Sequence, residues 1–104
     1  MTQFPILIPE PITSAANAEV KFLRALHERK YRKKSGWFLA EGARICHEAV
    51  ALGWNIHRLA FLAGRETDAA IRPLLDGLAA SGGRALPMTE RLLQRISRKD
   101  NSQV

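Results

Sequence analysis

The sequence has one cysteine and no long apolar segment. A single cysteine, Cys46, excludes an intrachain disulfide and indicates a reducing compartment. The helical pattern around it favours a small buried residue over a nucleophile. No apolar run approaches the roughly 20 residues that cross a bilayer, so no membrane partner is expected. The apolar N-terminus is broken by prolines and has no basic leader, so it does not resemble a secretory signal. We therefore expect a cytoplasmic protein.

Clusters of reactive side chains are also absent from the sequence. His27, His47 and His57 fall on three different predicted elements and have no cysteine or clustered carboxylate partners, which argues against a metal site. Cys46 and His47 are adjacent and would diverge on a helix, so they do not form a thiol–imidazole pair. No glycine-rich phosphate loop with its following lysine and serine occurs. The sequence thus predicts no metal and no catalytic residue.

What the sequence does have is a concentration of positive charge, which we call the basic run. It consists of Lys21, Arg24, Arg29, Lys30, Arg32, Lys33 and Lys34. Only Glu28 opposes these seven residues. The chain has 16 basic and 10 acidic residues, so the remaining nine of each sign cancel and the run accounts for the net charge of +6. Because like charges repel on a helix, this one-sided run favours a nucleic-acid-binding face over a merely solvated one.

The N-terminal third is predicted to be an extended arm followed by a helix. Prolines at three positions make residues 1–12 an extended arm. Ser14, with Asn17 as a second candidate, is suited to cap a helix that continues to Gly36. Val20, Leu23 and Leu26 recur at helical spacing and are expected to face the core. Arg29, Lys30 and Arg32 lie off this apolar stripe, so we expect the fold to tolerate their replacement by alanine.

After Gly36 the apolar pattern alternates between strand and helix. Strands are predicted at 37–40, 55–62 and 84–88. Helices are predicted at 43–52, with Ile45, Ala49 and Leu52 inward, then after a Thr67 cap and after a Thr89 cap. Pro73 should shorten or bend the second of these helices. The expected fold class is α/β, as a small three-layer α/β/α sandwich.

A series of residues along nearly the whole chain matches one known pattern. It runs through Ile12-Thr13-Ser14, Asn17, Val20-Lys21, Leu26, Arg29-Lys30, Arg32, Gly36, Phe38, Glu41-Gly42, Arg44 and Glu48-Ala49, then Gly53-Trp54-Asn55-Ile56, Leu92-Leu93, Ile96-Ser97 and Asn101-Ser102-Gln103. In this pattern the chain resembles the N-terminal substrate-binding domain of SpoU/TrmH-type RNA 2′-O-ribose methyltransferases, members of the SPOUT superfamily. The stretch from Asn17 to Glu48 is its specific part.

The resemblance implies a fold similar to L30e and L7Ae, in which residues 13–104 recognise structured RNA, rRNA rather than tRNA. The family's S-adenosylmethionine site lies in a second domain with an Asn-x-Gly-x-x-x-Arg motif, and no such motif occurs here. The chain is therefore expected to be one domain of a methyltransferase that is homodimeric through its catalytic domain. Alone it should bind RNA without methylating it.

The candidate RNA-binding residues share a positive charge or an amide. They are Asn17, Lys21, Arg24, Arg29, Lys30, Arg32, Lys33, Lys34 and Arg44. Helix capping explains Asn17 equally well. Glu41 and Gly42 are expected to orient the chain, with Glu41 accepting from an arginine such as Arg44 or from backbone amides. Tyr31 is a candidate for stacking on a base, with core packing as the open alternative, whereas core packing is favoured for Trp37.

Two other functions fit parts of the sequence. A freestanding structural RNA-binding protein of the L30e/L7Ae kind would carry the same basic helix. A DNA-binding regulator would need two helices separated by a short turn. The strand predicted directly after the basic helix argues against that second possibility.

Overall fold

The computed structural model describes residues 7–97, and within them helices surround a small parallel sheet. The elements in chain order are α1 Ala18–Ala25, α2 Arg29–Ser35, α3 Ala43–Ala51, β1 Arg58–Leu62, α4 Arg72–Ser81, β2 Arg84–Met88 and α5 Glu90–Ile96. Strands β1 and β2 pair in parallel, with Leu59 opposite Ala85. Helix α4 makes the crossover that parallel strands require. Residues 1–6 of the predicted arm and residues 98–104, including the Asn101-Ser102-Gln103 part of the family pattern, lie outside the described residues.

Both faces of the sheet are covered by helices. Successive strand residues point to opposite faces, so each strand has apolar side chains on both sides of the sheet. On one face Leu86 and Met88 pack with the apolar stripes of α1 and α5. On the other face Leu59 and Phe61 pack with α4 and with Cys46 of α3. Helices on either side of a parallel sheet make an α/β fold, so the predicted fold class is confirmed. The closer likeness to L30e stays a prediction.

The described part of the arm adds one contact to the sheet. The Ile12 amide donates to the Pro87 carbonyl at 2.8 Å, and Ile12 forms an isolated parallel bridge with Met88. The arm is therefore tied to the edge of β2. No helix among the described residues is long and apolar enough to cross a membrane.

The prediction of one helix from Ser14 to Gly36 is wrong. The chain turns between Leu26 and Glu28, so that α1 and α2 are separate helices. Asn17 is the cap of α1, since its Oδ1 accepts from the Glu19 amide at 2.8 Å, whereas Ser14 accepts from Ala16 in the preceding turn. Val20, Leu23 and Leu26 are buried as predicted, and α2 has no buried residue. The apolar stripe of α1 ends at Leu26. Beyond this residue no side chain of α2 is buried in the core, so core packing does not stabilise a longer α1.

The prediction of a strand at 37–40 is also wrong. This segment is irregular and lies beside a cavity next to β1, without pairing to a strand among the described residues. Its apolar character comes instead from side-chain packing: Trp37 and Leu39 are partly buried, while Phe38 is 59% exposed. The neighbouring strand predicted at 55–62 begins only at Arg58.

The inward side of α3 differs from the prediction at two of the three predicted residues. Cys46 and Ala49 are buried, but Ile45 and Leu52, both predicted to face the core, are 46% and 68% exposed. Helix α3 is short, and its apolar residues allow two alternative inward faces, one with Ile45 and one with Cys46. The core selects the face that carries Cys46 because this face meets α4 and β1.

The starts of the last two helices follow different rules. Thr67 does not cap α4, which begins at Arg72 and carries Pro73 within its first turn. Proline is tolerated there because amides of the first turn have no partner within the helix. Thr89 caps α5 as predicted, since its Oγ1 accepts from the Leu92 amide at 3.3 Å.

Leu23→Ala is expected to lower the free energy of unfolding by about 2–5 kcal/mol, because it leaves a cavity where Leu23 packs among the buried residues of α1, β2 and α5. Chemical denaturation followed by circular dichroism measures this loss. Lys21→Ala, two residues away and exposed, is the matched control and should change the midpoint little. Equal midpoints for the two variants would contradict the assignment of Leu23 to the core.

Gly83→Ala is expected to destabilise the fold by about 3 kcal/mol through overpacking. A Cβ on Gly83 would lie 2.3 Å from the Ile56 carbonyl oxygen and 2.8 Å from the His57 oxygen, so backbone must move. The neighbouring Gly82 has open space around it and a φ of +71°, so Gly82→Ala should cost only about 1 kcal/mol. Thermal unfolding of both variants tests whether Gly83→Ala loses more stability than Gly82→Ala. Equal stability of the two variants would refute this prediction.

Candidate nucleic-acid interface

Helix α2 presents positive charge on almost all of its surface. Its sequence is Arg-Lys-Tyr-Arg-Lys-Lys-Ser, and it contains no buried residue. Arg29 and Lys33 are exposed one turn apart, as are Lys30 and Lys34. Like charges four residues apart destabilise a helix by about 0.2–0.5 kcal/mol per pair. The arrangement therefore opposes the local stability of α2 and is suited to an anionic partner.

No residue of the basic run takes part in an ion pair within residues 7–97. The ion pairs found there are Arg44–Glu48, Arg58–Glu19, Arg65–Asp68 and Arg72–Asp76. The acidic side chains in these pairs thus neutralise arginines outside the basic run. The positive charge of α1 and α2 is left available to a ligand.

Helix α1 separates its basic residues from its apolar ones. Lys21 and Arg24 are exposed, while Val20 and Leu23 on the other side are in the core. Arg24 lies in the last turn of α1, and Lys33 and Lys34 lie in the last turn of α2. Carbonyl groups at these helix ends favour cations, which partly offsets the repulsion within the run.

Two predicted RNA-binding residues have structural contacts of their own. The Arg32 guanidinium donates to the Leu26 carbonyl at 2.9 Å and to the His27 carbonyl at 2.8 Å. It thereby satisfies carbonyl groups at the end of α1 and connects α2 to that helix. Asn17 caps the start of α1. These contacts of Arg32 argue against the expectation that it can be replaced by alanine without loss of stability. For Arg29 and Lys30 that expectation stays a prediction.

Residues at the start of α3 occupy a second part of the surface. Gly42 is the N-terminal cap of α3 with a φ of +95°, a conformation that favours glycine. Glu41 accepts from the Ser97 hydroxyl at 2.5 Å, which joins this loop to the end of α5. The Arg44 side chain is 92% exposed, and its Nε lies 3.9 Å from the Glu48 carboxylate rather than pairing with Glu41. Arg44 is thus accessible, and Glu41 holds the loop in position.

The two aromatic residues that flank the end of the basic run have different environments. The Tyr31 ring is on the surface, with the Lys30 ammonium 5.0 Å from its centroid. Trp37 stacks on His57 with ring centroids 4.3 Å apart and meets Phe22 edge-on at 5.2 Å. Packing is therefore the role of Trp37, as predicted, while Tyr31 remains exposed.

The histidines are held apart by structural contacts. His27 contacts the Ile96 carbonyl, His47 Nε2 donates to the Ala70 carbonyl at 2.9 Å, and His57 stacks on Trp37. In the described part of the chain there is no group of three or more histidine, cysteine or acidic residues that suits a metal ion.

One feature escaped the sequence analysis: a cavity of about 490 Å³ beside β1. Its lining includes the loop at 36–41, residues of α3 and β1, and the aromatic residue Trp54. Phe38 and Trp54 meet edge-on at 5.6 Å although both rings are at least half exposed. The sequence contains one indication of this feature: each of these two aromatic residues lies one or two positions after a glycine that ends a helix, Gly36 or Gly53.

Known proteins are similar to this chain in sequence and in fold. The family model of the MRM3-like substrate binding domain matches residues 17–104. Two crystal structures of an rRNA methyltransferase from Sinorhizobium meliloti, one with AdoMet bound, are similar to this chain with TM-scores of 0.76 and 0.75 and 32% identity. No curated protein sequence matches the chain significantly.

The matches cover nearly all of this chain but only part of the related proteins. The similar region covers 90% of this chain but only 34% and 33% of the two Sinorhizobium chains, so the chain spans about a third of their length. The family match begins at Asn17, the cap of α1, and includes the whole basic run. The family that the sequence pattern indicated is confirmed: the chain belongs to the MRM3-like substrate-binding domain family.

Proposed function

We propose that this domain binds RNA through the exposed basic residues of α1 and α2 and presents it to a methyltransferase domain of the same protein. The observation that supports this most strongly is the unpaired charge of the basic run, because phosphate contacts supply most of the affinity of nucleic-acid-binding surfaces. Arg44 adds an accessible guanidinium at the start of α3. Arginine suits both phosphate and the planar edge of a base.

The substrate in this proposal is rRNA rather than tRNA. The related Sinorhizobium protein, described as an rRNA methyltransferase, supports that choice, and its AdoMet-bound form supports S-adenosylmethionine as the methyl donor of the whole enzyme. The donor would bind outside the present chain. We further propose that the enzyme is a homodimer through its catalytic domain and acts in the cytoplasm.

Binding to single-stranded RNA is expected to weaken steeply with salt. If about four phosphates are neutralised, the slope of log affinity against log salt concentration should be near −3, from about −0.7 per contact. Replacing Arg29 and Lys33 by alanine should reduce its magnitude by about 1.4. Arg32 is left in place because its hydrogen bonds support the end of α1.

The matched control removes the same charge elsewhere. Arg65 and Arg72 are exposed and pair only with Asp68 and Asp76, so their joint replacement by alanine should leave both the slope and the fold nearly unchanged. Filter binding at several salt concentrations compares the three proteins. If the two double variants lose affinity equally, the basic run acts only through net charge, and the proposed interface is incorrect.

The 104-residue chain should neither bind S-adenosylmethionine nor transfer its methyl group to RNA, because it lacks the family's donor-site motifs. Calorimetry with the cofactor and a methylation assay with radiolabelled donor measure the two properties. A tight stoichiometric complex with the cofactor would contradict the proposed division of roles.

A further inference from the structure

The exposed aromatic pair Phe38 and Trp54 is not explained by packing. Phe38 is 59% and Trp54 50% exposed, although rings of this size bury 150–250 Å² when they serve a core. They come from separate loops, one after α2 and one after α3, and meet at 5.6 Å. Both rings line the cavity beside β1. Large aromatic surface at an opening is typical of a binding site.

The cavity combines an apolar interior with a few polar groups. Its walls include Leu74 of α4, Ile96 of α5 and Val50 of α3, and its volume of about 490 Å³ lies in the range of small-molecule sites. Asn55, next to Trp54, is part of the lining. Its amide offers both donors and an acceptor, and it makes no side-chain hydrogen bond to another residue of the described chain.

The edge of β1 that faces this cavity is open. The strand pairs only with β2 in the sheet formed by the described residues. Arg58 and Ala60 of this strand belong to the lining. Backbone groups at an unpaired sheet edge offer hydrogen bonds to a bound molecule. A planar ligand with polar edges and an apolar face therefore fits the site.

Positive charge borders the cavity on two sides. Gly36, the C-terminal cap of α2 two residues after Lys34, is part of the lining. On the other side, α3 carries the exposed Arg44 and contributes Cys46 and Ala49 to the walls. The exposed cations of α2 and α3 thus lie on elements next to the cavity, and the acidic lining residue Glu41 is engaged by the Ser97 hydroxyl. Cations close to the site suit a phosphate-linked chain.

We propose that the cavity receives an unstacked nucleobase of single-stranded RNA, which stacks on Trp54 beside Phe38. This rests on the proposed RNA-binding function and specifies its substrate as a loop or bulge rather than a continuous duplex. Bases outside a helix are recognised by stacking on aromatic rings and by hydrogen bonds to their edges. Trp37 does not serve this role because His57 and Phe22 already occupy its surroundings.

The experiment measures the affinity of the whole chain for a fluorescently labelled single-stranded 12-nucleotide RNA by anisotropy. Trp54→Ala should weaken binding about fivefold to a hundredfold, the range found when a stacking residue is lost. Trp54→Phe, which keeps an aromatic face, should retain most of the affinity. Leu52→Ala is the matched control, because Leu52 is 68% exposed, lies two residues away and does not line the cavity.

Two further measurements separate stacking from charge and from misfolding. Trp54→Ala should leave the salt slope unchanged, since it removes no phosphate contact, and its thermal midpoint should match that of Leu52→Ala. An abasic ribose-phosphate oligomer of equal length should bind the natural protein as weakly as intact RNA binds Trp54→Ala. The Trp54→Ala protein should bind the intact RNA and the abasic oligomer with equal affinity.

Several outcomes would overturn the proposal. Unchanged affinity in Trp54→Ala, together with the expected flatter salt slope in Arg29→Ala/Lys33→Ala, would refute the base site alone. Unchanged affinity in both variants would refute the proposed function as well. If sedimentation shows that Trp54→Ala disrupts self-association without affecting RNA affinity, the aromatic pair is an interface between copies of the chain.

Discussion

The fold depends on burying both faces of the two-stranded sheet that the described residues form. A pair of five-residue strands has little apolar surface of its own, so it is stable only when helices cover each face. Helices α1 and α5 cover one side, and α3 and α4 cover the other. Because each face of the sheet must be covered, the apolar stripe of each of these helices packs against one particular face. Helix α2 has no stripe and therefore remains outside the core, where its charges are accessible.

The position of α2 also determines where a ligand can be held. Arg32 connects it to the carbonyl end of α1, and Gly36 turns the chain toward the cavity. The loop that follows is fastened at its other end by the contact of Glu41 with Ser97. Charge and aromatic surface are thereby brought next to each other by a short piece of chain with few contacts to the sheet.

Local features of the sequence predicted the fold better than they predicted the surface. The buried sides of α1, α4 and α5 follow from helical spacing because each has several apolar residues on one face. The face of α3 was misassigned, since Ile45 and Cys46 both fit a short pattern and only the packing against α4 selects between them. The break at Leu26–Glu28 has no glycine or proline to signal it. The basic run was visible because its members are neighbours in sequence, whereas the cavity joins Phe38, Trp54 and Leu74 from distant positions.

The absence of buried residues in α2 has a consequence for its dynamics. Opening a helix that has no buried residue exposes little apolar surface, so α2 can unfold locally once the Arg32 hydrogen bonds break, while the sheet and its covering helices stay intact. Its amide hydrogens should then exchange much faster than those of α4, which buries three leucines. A polyanion that neutralises the repulsion along α2 would slow this exchange. Binding and ordering of the helix would then be a single coupled equilibrium.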